Sequence, residues 1–97
     1  MTGELTLPDS VTYVRSTPEF DAATVPAGLL QAHQVAEGVW GRLVVSEGSV
    51  EFTFEDTPEE SMTITAGGMQ VIPPTRPHHI QVNDHTRFHV EFHREAK

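Results

Sequence analysis

Two short stretches of this sequence hold the residues best suited to chemistry. The first is Ile72-Pro73-Pro74-Thr75-Arg76-Pro77-His78-His79-Ile80, which follows Ala66-Gly67-Gly68. Proline fixes φ and offers no N–H to a ladder, so Pro73, Pro74 and Pro77 impose an extended corner. A strand that restarts at His78 carries Ile80 and Val82 on the same face, and His79, Gln81 and Asn83 on the other. An imidazole aimed from such a corner into an apolar interior is either a ligand-binding group or a core histidine with its hydrogen bonds satisfied. The second stretch is Phe88-His89-Val90-Glu91-Phe92-His93. Alternation puts His89, Glu91 and His93 on one face and Phe88, Val90 and Phe92 on the other.

Composition narrows what these groups can do. There is no cysteine, so a metal ion would have to be held by imidazole and carboxylate, and no disulfide framework or thiolate nucleophile is available. Net charge is −8, from fourteen acids against one lysine and five scattered arginines, which opposes binding to a phosphate backbone and excludes nucleic acid as the expected partner. No G-x-S-x-G elbow, phosphate-binding glycine loop or dinucleotide fingerprint occurs. The first residues lack a basic segment followed by an apolar one, and no apolar run approaches the roughly 18 residues that span a bilayer. The expectation is a cytoplasmic protein without a membrane partner.

The elements that would position these residues read almost entirely as strands. Two-residue alternation predicts strands over 11–15, 29–36, 39–46, 50–55, 62–65, 69–72, 78–82 and 86–94, with 19–28 irregular. The 50–55 segment has the clearest pattern, with Val50, Phe52 and Phe54 inward and Glu51, Thr53 and Glu55 outward. Glu37-Gly38, Glu47-Gly48 and Asn83-Asp84 read as turns, and 56–61 as an acidic hairpin tip. His85, beside Asp84, is expected at the surface. Seven or eight short strands with no convincing helix predict an all-β sandwich or barrel. Ninety-seven residues make one domain, 1–97, with its core over about 12–94.

Arg15-Ser16-Thr17-Pro18, Pro26-Ala27-Gly28-Leu29-Leu30, His33, Trp40-Gly41-Arg42-Leu43, Gly48, Ile72-Pro73-Pro74 through Pro77-His78, and Glu91-Phe92 fall in one order. In these segments the chain resembles the TehB/YeaR-like domain, a small cupin family linked by name to tellurite resistance. The resemblance implies a cupin-like double-stranded β-helix, a jelly-roll barrel. In the longer tellurite-resistance proteins this domain precedes a methyltransferase, a part with no counterpart in these segments, so methyl transfer is not carried over.

The wider cupin superfamily has a second motif, G-x5-P-x-G-x2-H-x3-N, which Gly67, Pro73 and His78 fit, with Thr75 where glycine is usual and Val82 where asparagine is usual. A register shifted by one would use Gly68, Pro74, His79 and Asn83. The first motif, G-x5-H-x-H-x3-4-E-x6-G, matches only at His33, with Val35 in the second histidine slot.

The resemblance therefore implies a site built on His33 and His78. Glu91 would be a replacement third donor, and His79, His89 and His93 further candidates. Two histidines and a carboxylate suit a divalent transition metal such as Zn, Fe, Mn or Ni. That set requires the polar face of the last strand to line the barrel mouth. In the opposite orientation its Phe-Val-Phe row enters the core and the polar face meets solvent or a second subunit.

Trp40 and Arg42 are pocket candidates. Trp40 would stack on a ligand or form the barrel wall, where its N–H needs a partner, and Arg42 would bind an anion or pair with a local acid. Three functional readings follow. One is a metal- or small-molecule-binding cupin, with an oxyanion among the candidate ligands, tied to tellurite, other oxyanion or nitrogen-oxide stress. Another is a metal enzyme with dioxygenase- or hydrolase-like chemistry, and the third is a structural or interaction module. A homodimer is expected to cover an open sheet edge.

Overall fold

The structure, a computed structural model, describes residues 6–30, 35–56 and 58–95. It is all-β and antiparallel. The strands are β1 (Val11–Ser16), β2 (Phe20–Asp21), β3 (Val39–Glu47), β4 (Ser49–Phe54), β5 (Glu60–Thr65), β6 (Met69–Ile72), β7 (His78–Gln81) and β8 (Arg87–Glu95). The larger sheet runs β1-β8-β3-β6, with the short β2 also against β8, and the smaller runs β5-β4-β7. Seven of the eight segments expected as strands form strands, with ends shifted by a residue or two. Among the described residues no helix is long and apolar enough to cross a membrane.

The segment 29–36 is the exception. Its first residues belong to a 3-10 turn, Ala27–Leu30, closed by the Leu29 N–H donating to the Pro26 carbonyl at 3.0 Å. Residues 31–34 lie outside the described residues, and Val35 and Ala36 are not in a strand. Their carbonyls accept from the N–H groups of Thr75 and Val39, so loop contacts replace a ladder here. The apolar character that mimicked a strand is still used, because Val35 is part of the core.

The core lies between the inner faces of the two sheets. Leu43, Val45, Ile72, Phe88 and Val90 come from the larger sheet, and Val50, Phe52, Phe54, Ile64 and Ile80 from the smaller. Each such side chain contributes roughly 1.5–3 kcal/mol when removed from water. Val50, Phe52 and Phe54 all face inward as expected, and Phe52 meets Phe54 edge-on at 4.9 Å between ring centroids.

Thr86, in the turn before β8, is completely buried. Its hydroxyl donates to the Ser49 carbonyl and accepts from the Asn83 N–H, which ties that turn to the start of β4. Gly48 permits the approach. Its φ is +68°, and a β-carbon there would stand 2.6 Å from the His85 carbonyl oxygen.

Candidate functional site

The proline corner delivers His78 to the interior. Thr75 takes a left-handed backbone conformation, φ +61°, at the turn between Pro74 and Arg76. Its N–H donates to the Val35 carbonyl at 2.8 Å, which holds the Val35 segment beside the start of β7. From there His78 points inward with Ile80 and is only 2% exposed. The ring lies nearly parallel to Phe52, 5.2 Å between centroids with 13° between planes. Its Nδ1 is 3.1 Å from the Arg76 carbonyl oxygen. A carbonyl only accepts, so Nδ1 carries the proton, and in the neutral ring the lone pair is on Nε2.

Next to His78 is an interior cavity of about 190 Å³. Leu29, Val35, Leu43, Ile80 and Val90 form most of its wall, and His78 and Thr17 are its polar residues. The Thr17 hydroxyl is already engaged, donating to Pro18 and accepting from the Val90 N–H. Val35 and Phe92 also belong to an adjoining open groove of about 310 Å³, which includes Arg15, Val39 and Arg94.

The last strand is oriented with its Phe-Val-Phe row inward. Phe88 and Val90 are buried in the core and Phe92 packs against it. His89, Glu91 and His93 therefore lie on the outer face of the larger sheet, in register with Val44, Arg42 and Trp40 on β3. Arg42 donates two hydrogen bonds to Glu91, at 2.9 and 3.2 Å, and His93 Nε2–H donates to the same carboxylate at 3.3 Å. Partial burial pushes the Glu91 pKa up. The bonds from Arg42 and His93, Arg42's charge and the nearby His89 outweigh that and hold it below the ordinary carboxylate value.

This arrangement separates several of the expected donors. His78 points from β7 of the smaller sheet into the space between the sheets, while Glu91 lies on the outer face of the larger sheet, so the two do not converge on one ion. Nor do Trp40 and Arg42 line the interior cavity. Trp40 stands in register with His93 on the outer face, and its buried indole N–H has no hydrogen-bond partner among the described residues. His79 faces out from the smaller sheet and bonds to Glu55. His85 is exposed. His33 lies outside the described residues. Among those described, no three histidine or carboxylate side chains are grouped to hold a metal ion.

Sequence reasoning missed Thr17, Leu29 and Val35 as cavity residues, and Arg94 as a groove residue. Only their residue types were visible. The pairing of β8 with β1 and β3 decides what Arg94 faces, and Leu29 and Val35 are placed by loop contacts, the 3-10 turn and the Thr75 N–H. A third concavity, of about 460 Å³, includes Asp21, Glu47, Asp84, His85 and Arg87. Two of its carboxylates have local partners, since Asp21 accepts from the Ala23 and Thr24 N–H groups and Glu47 pairs with Arg87.

Comparison with known proteins agrees with this architecture. Residues 15–90 match the model of the TehB-like domain. The chain is 33% identical to the uncharacterized protein YeaR of Escherichia coli, in strain K12 and in O157:H7, over 91% of this chain and 82% of the relative. A crystal structure of a protein from E. coli K12 superposes with a TM-score of 0.87 at 31% identity, covering 97% of this chain and 100% of that one. TehB from Haemophilus influenzae gives a TM-score of 0.80 at 16% identity, over 90% of this chain and 32% of TehB. A cupin-2 domain protein from Shewanella frigidimarina is more distant, with a TM-score of 0.52 at 18% identity, over 89% of this chain and 72% of that protein. With the family model matched over most of its length and a relative one-third identical, the chain belongs to the TehB-like domain family.

Proposed function

We propose that this chain is a small-molecule-binding module built on a cupin-type jelly roll, with its ligand held in the interior cavity beside His78. The observation that carries this reading is the cavity itself. A histidine kept only for core packing would be enclosed by close-packed side chains, as interiors normally are. Here a buried, oriented imidazole borders an apolar space of about 190 Å³. Apolar walls with one or two placed polar groups are the usual composition of a ligand site. The two-sheet antiparallel arrangement and the distant cupin-2 neighbour support the jelly-roll description.

The test is a fragment screen followed by NMR, reading the His78 imidazole and the Leu43 and Val90 methyl groups. Fragments should shift these signals, and Val35→Phe, which fills the cavity from its wall, should abolish the shifts. Fragments that perturb only the outer faces would refute the assignment.

A metal-assisted version of the same site has one observation in its favour. An Nδ1–H donated to a backbone carbonyl is the usual arrangement behind a histidine that binds a metal through Nε2. The second donor would have to be His33, not Glu91. Metal analysis of untagged protein and of the His33→Ala, His78→Ala double variant decides it, because equal metal content in both would place any ion elsewhere. A homodimer covering one of the edge strands β1, β5, β6 or β7 is a further element of this reading, to be checked by sedimentation.

A further inference from the structure

The five arginines divide into two groups. Arg42 pairs with Glu91, Arg76 with Asp56 and Glu60, and Arg87 with Glu19 and Glu47. Arg15 and Arg94 form no ion pair with any described residue, although the chain has fourteen acidic side chains against six basic ones. Both arginines belong to the same groove, the one that adjoins the His78 cavity through Val35 and Phe92.

Register explains why they meet there. Arg15 is paired with Phe92 across β1 and β8, and Arg94 lies two positions beyond Phe92, so all three share the inward-directed face of the larger sheet. The groove lies along that face. The Arg15 guanidinium sits over the Phe92 ring, 4.9 Å from its centroid, at the junction between cavity and groove.

We propose that the ligand of this site is a small organic anion, with a short apolar portion in the cavity and a carboxylate or comparable oxyanionic head recognised by Arg15 and Arg94. This rests on the reading of the cavity as a binding site and names its ligand class. The apolar wall disfavours a hydrated inorganic anion, whose desolvation nothing there would offset. The cavity falls below the roughly 300 Å³ at which ordinary ligand pockets begin, so a ligand filling it extends into the groove. The groups met there are two guanidiniums, each able to grip a carboxylate in a planar fork.

The experiment compares hexanoate with hexan-1-ol, titrated into the full chain and into the Arg15→Gln, Arg94→Gln double variant. Chemical shifts of His78, Leu43 and Val90 give the readout. Both arginines are exposed, so the variant should keep the parent's spectral dispersion. Hexanoate should bind about tenfold or more tightly than hexan-1-ol, the scale of charge-assisted hydrogen bonds. It should lose that advantage in the double variant and at high salt, while hexan-1-ol is unchanged. Equal affinities, or a hexanoate affinity indifferent to the double variant, would overturn the anion assignment and leave the cavity reading standing. If neither compound moves the cavity signals, the cavity reading falls and the ligand class with it.

Discussion

His78 lies flat against Phe52, with 5.2 Å between ring centroids and 13° between planes, and this stack joins a polar residue of the cavity to the centre of the smaller sheet. Phe52 is fully buried, and its side chain also meets Phe54 edge-on. His78 therefore contributes to packing and to polarity, and two substitutions separate the contributions. His78→Ala removes both and enlarges the void, which should destabilise the chain by about 2–4 kcal/mol. His78→Phe keeps the stack and loses the bond to the Arg76 carbonyl, at about 1 kcal/mol. Urea denaturation measures both. Equal costs would mean that the stack contributes nothing.

Thr75 is a β-branched residue held at φ +61°, a conformation that its side chain disfavours by roughly 1–2 kcal/mol. Thr75→Gly should relieve that strain. After the extra backbone entropy of glycine, the net gain should be up to about 1 kcal/mol. Thr75→Ala, which keeps a β-carbon, should gain much less. Thermal melts of the two variants give the comparison, and a glycine variant no more stable than the alanine one would contradict the strain.

Gly48 makes the opposite prediction. A β-carbon there would collide with the His85 backbone at 2.6 Å and would also strain a backbone at φ +68°. Because the obstacle is main chain rather than a flexible side-chain tip, Gly48→Ala should cost about 2 kcal/mol or more, read from the shift in denaturant midpoint. A loss below about 0.5 kcal/mol would show that the turn containing Thr86 yields easily.

Local pattern carried most of the fold. Alternation located seven strands, and the Gly67-Pro73-His78 spacing selected the histidine that faces inward. Thr75, between Pro73 and His78 in that spacing, has a positive φ that glycine adopts without strain. What local pattern does not contain is the side of a sheet that faces the core, when both sides carry plausible residues. Strand β8 has Phe88 and Val90 on one face and His89 and Glu91 on the other. Alternation is equally satisfied either way, so the choice rests on what β3 and β1 present beside it. Once Leu43 and Val45 are inward, Val90 and Phe88 are inward with them, and Glu91 is committed to Arg42. Val35 failed for another reason, since an apolar loop residue anchored by Thr75 looks the same in sequence as one in a strand.

The Arg42–Glu91 pair makes the last prediction, a dependence on pH. The Glu91 pKa is lower in the folded chain than its ordinary value of 4.5, because its bonds from Arg42 and His93 outweigh the effect of partial burial. A group with a depressed folded pKa binds fewer protons folded than unfolded, so its stabilisation is complete above the unfolded value. It is lost as pH falls through the folded one. Denaturant midpoints should therefore be insensitive to Glu91 protonation at neutral pH and decline below about pH 4.5. In Glu91→Gln part of that decline should disappear, with a loss of about 1 kcal/mol at pH 7, as for a partly exposed ion pair. Glu19 and Asp21 also have lowered pKa values, so some acid sensitivity will remain in the variant. Parallel pH profiles for parent and variant would show that the pair contributes nothing to acid stability, despite its two hydrogen bonds.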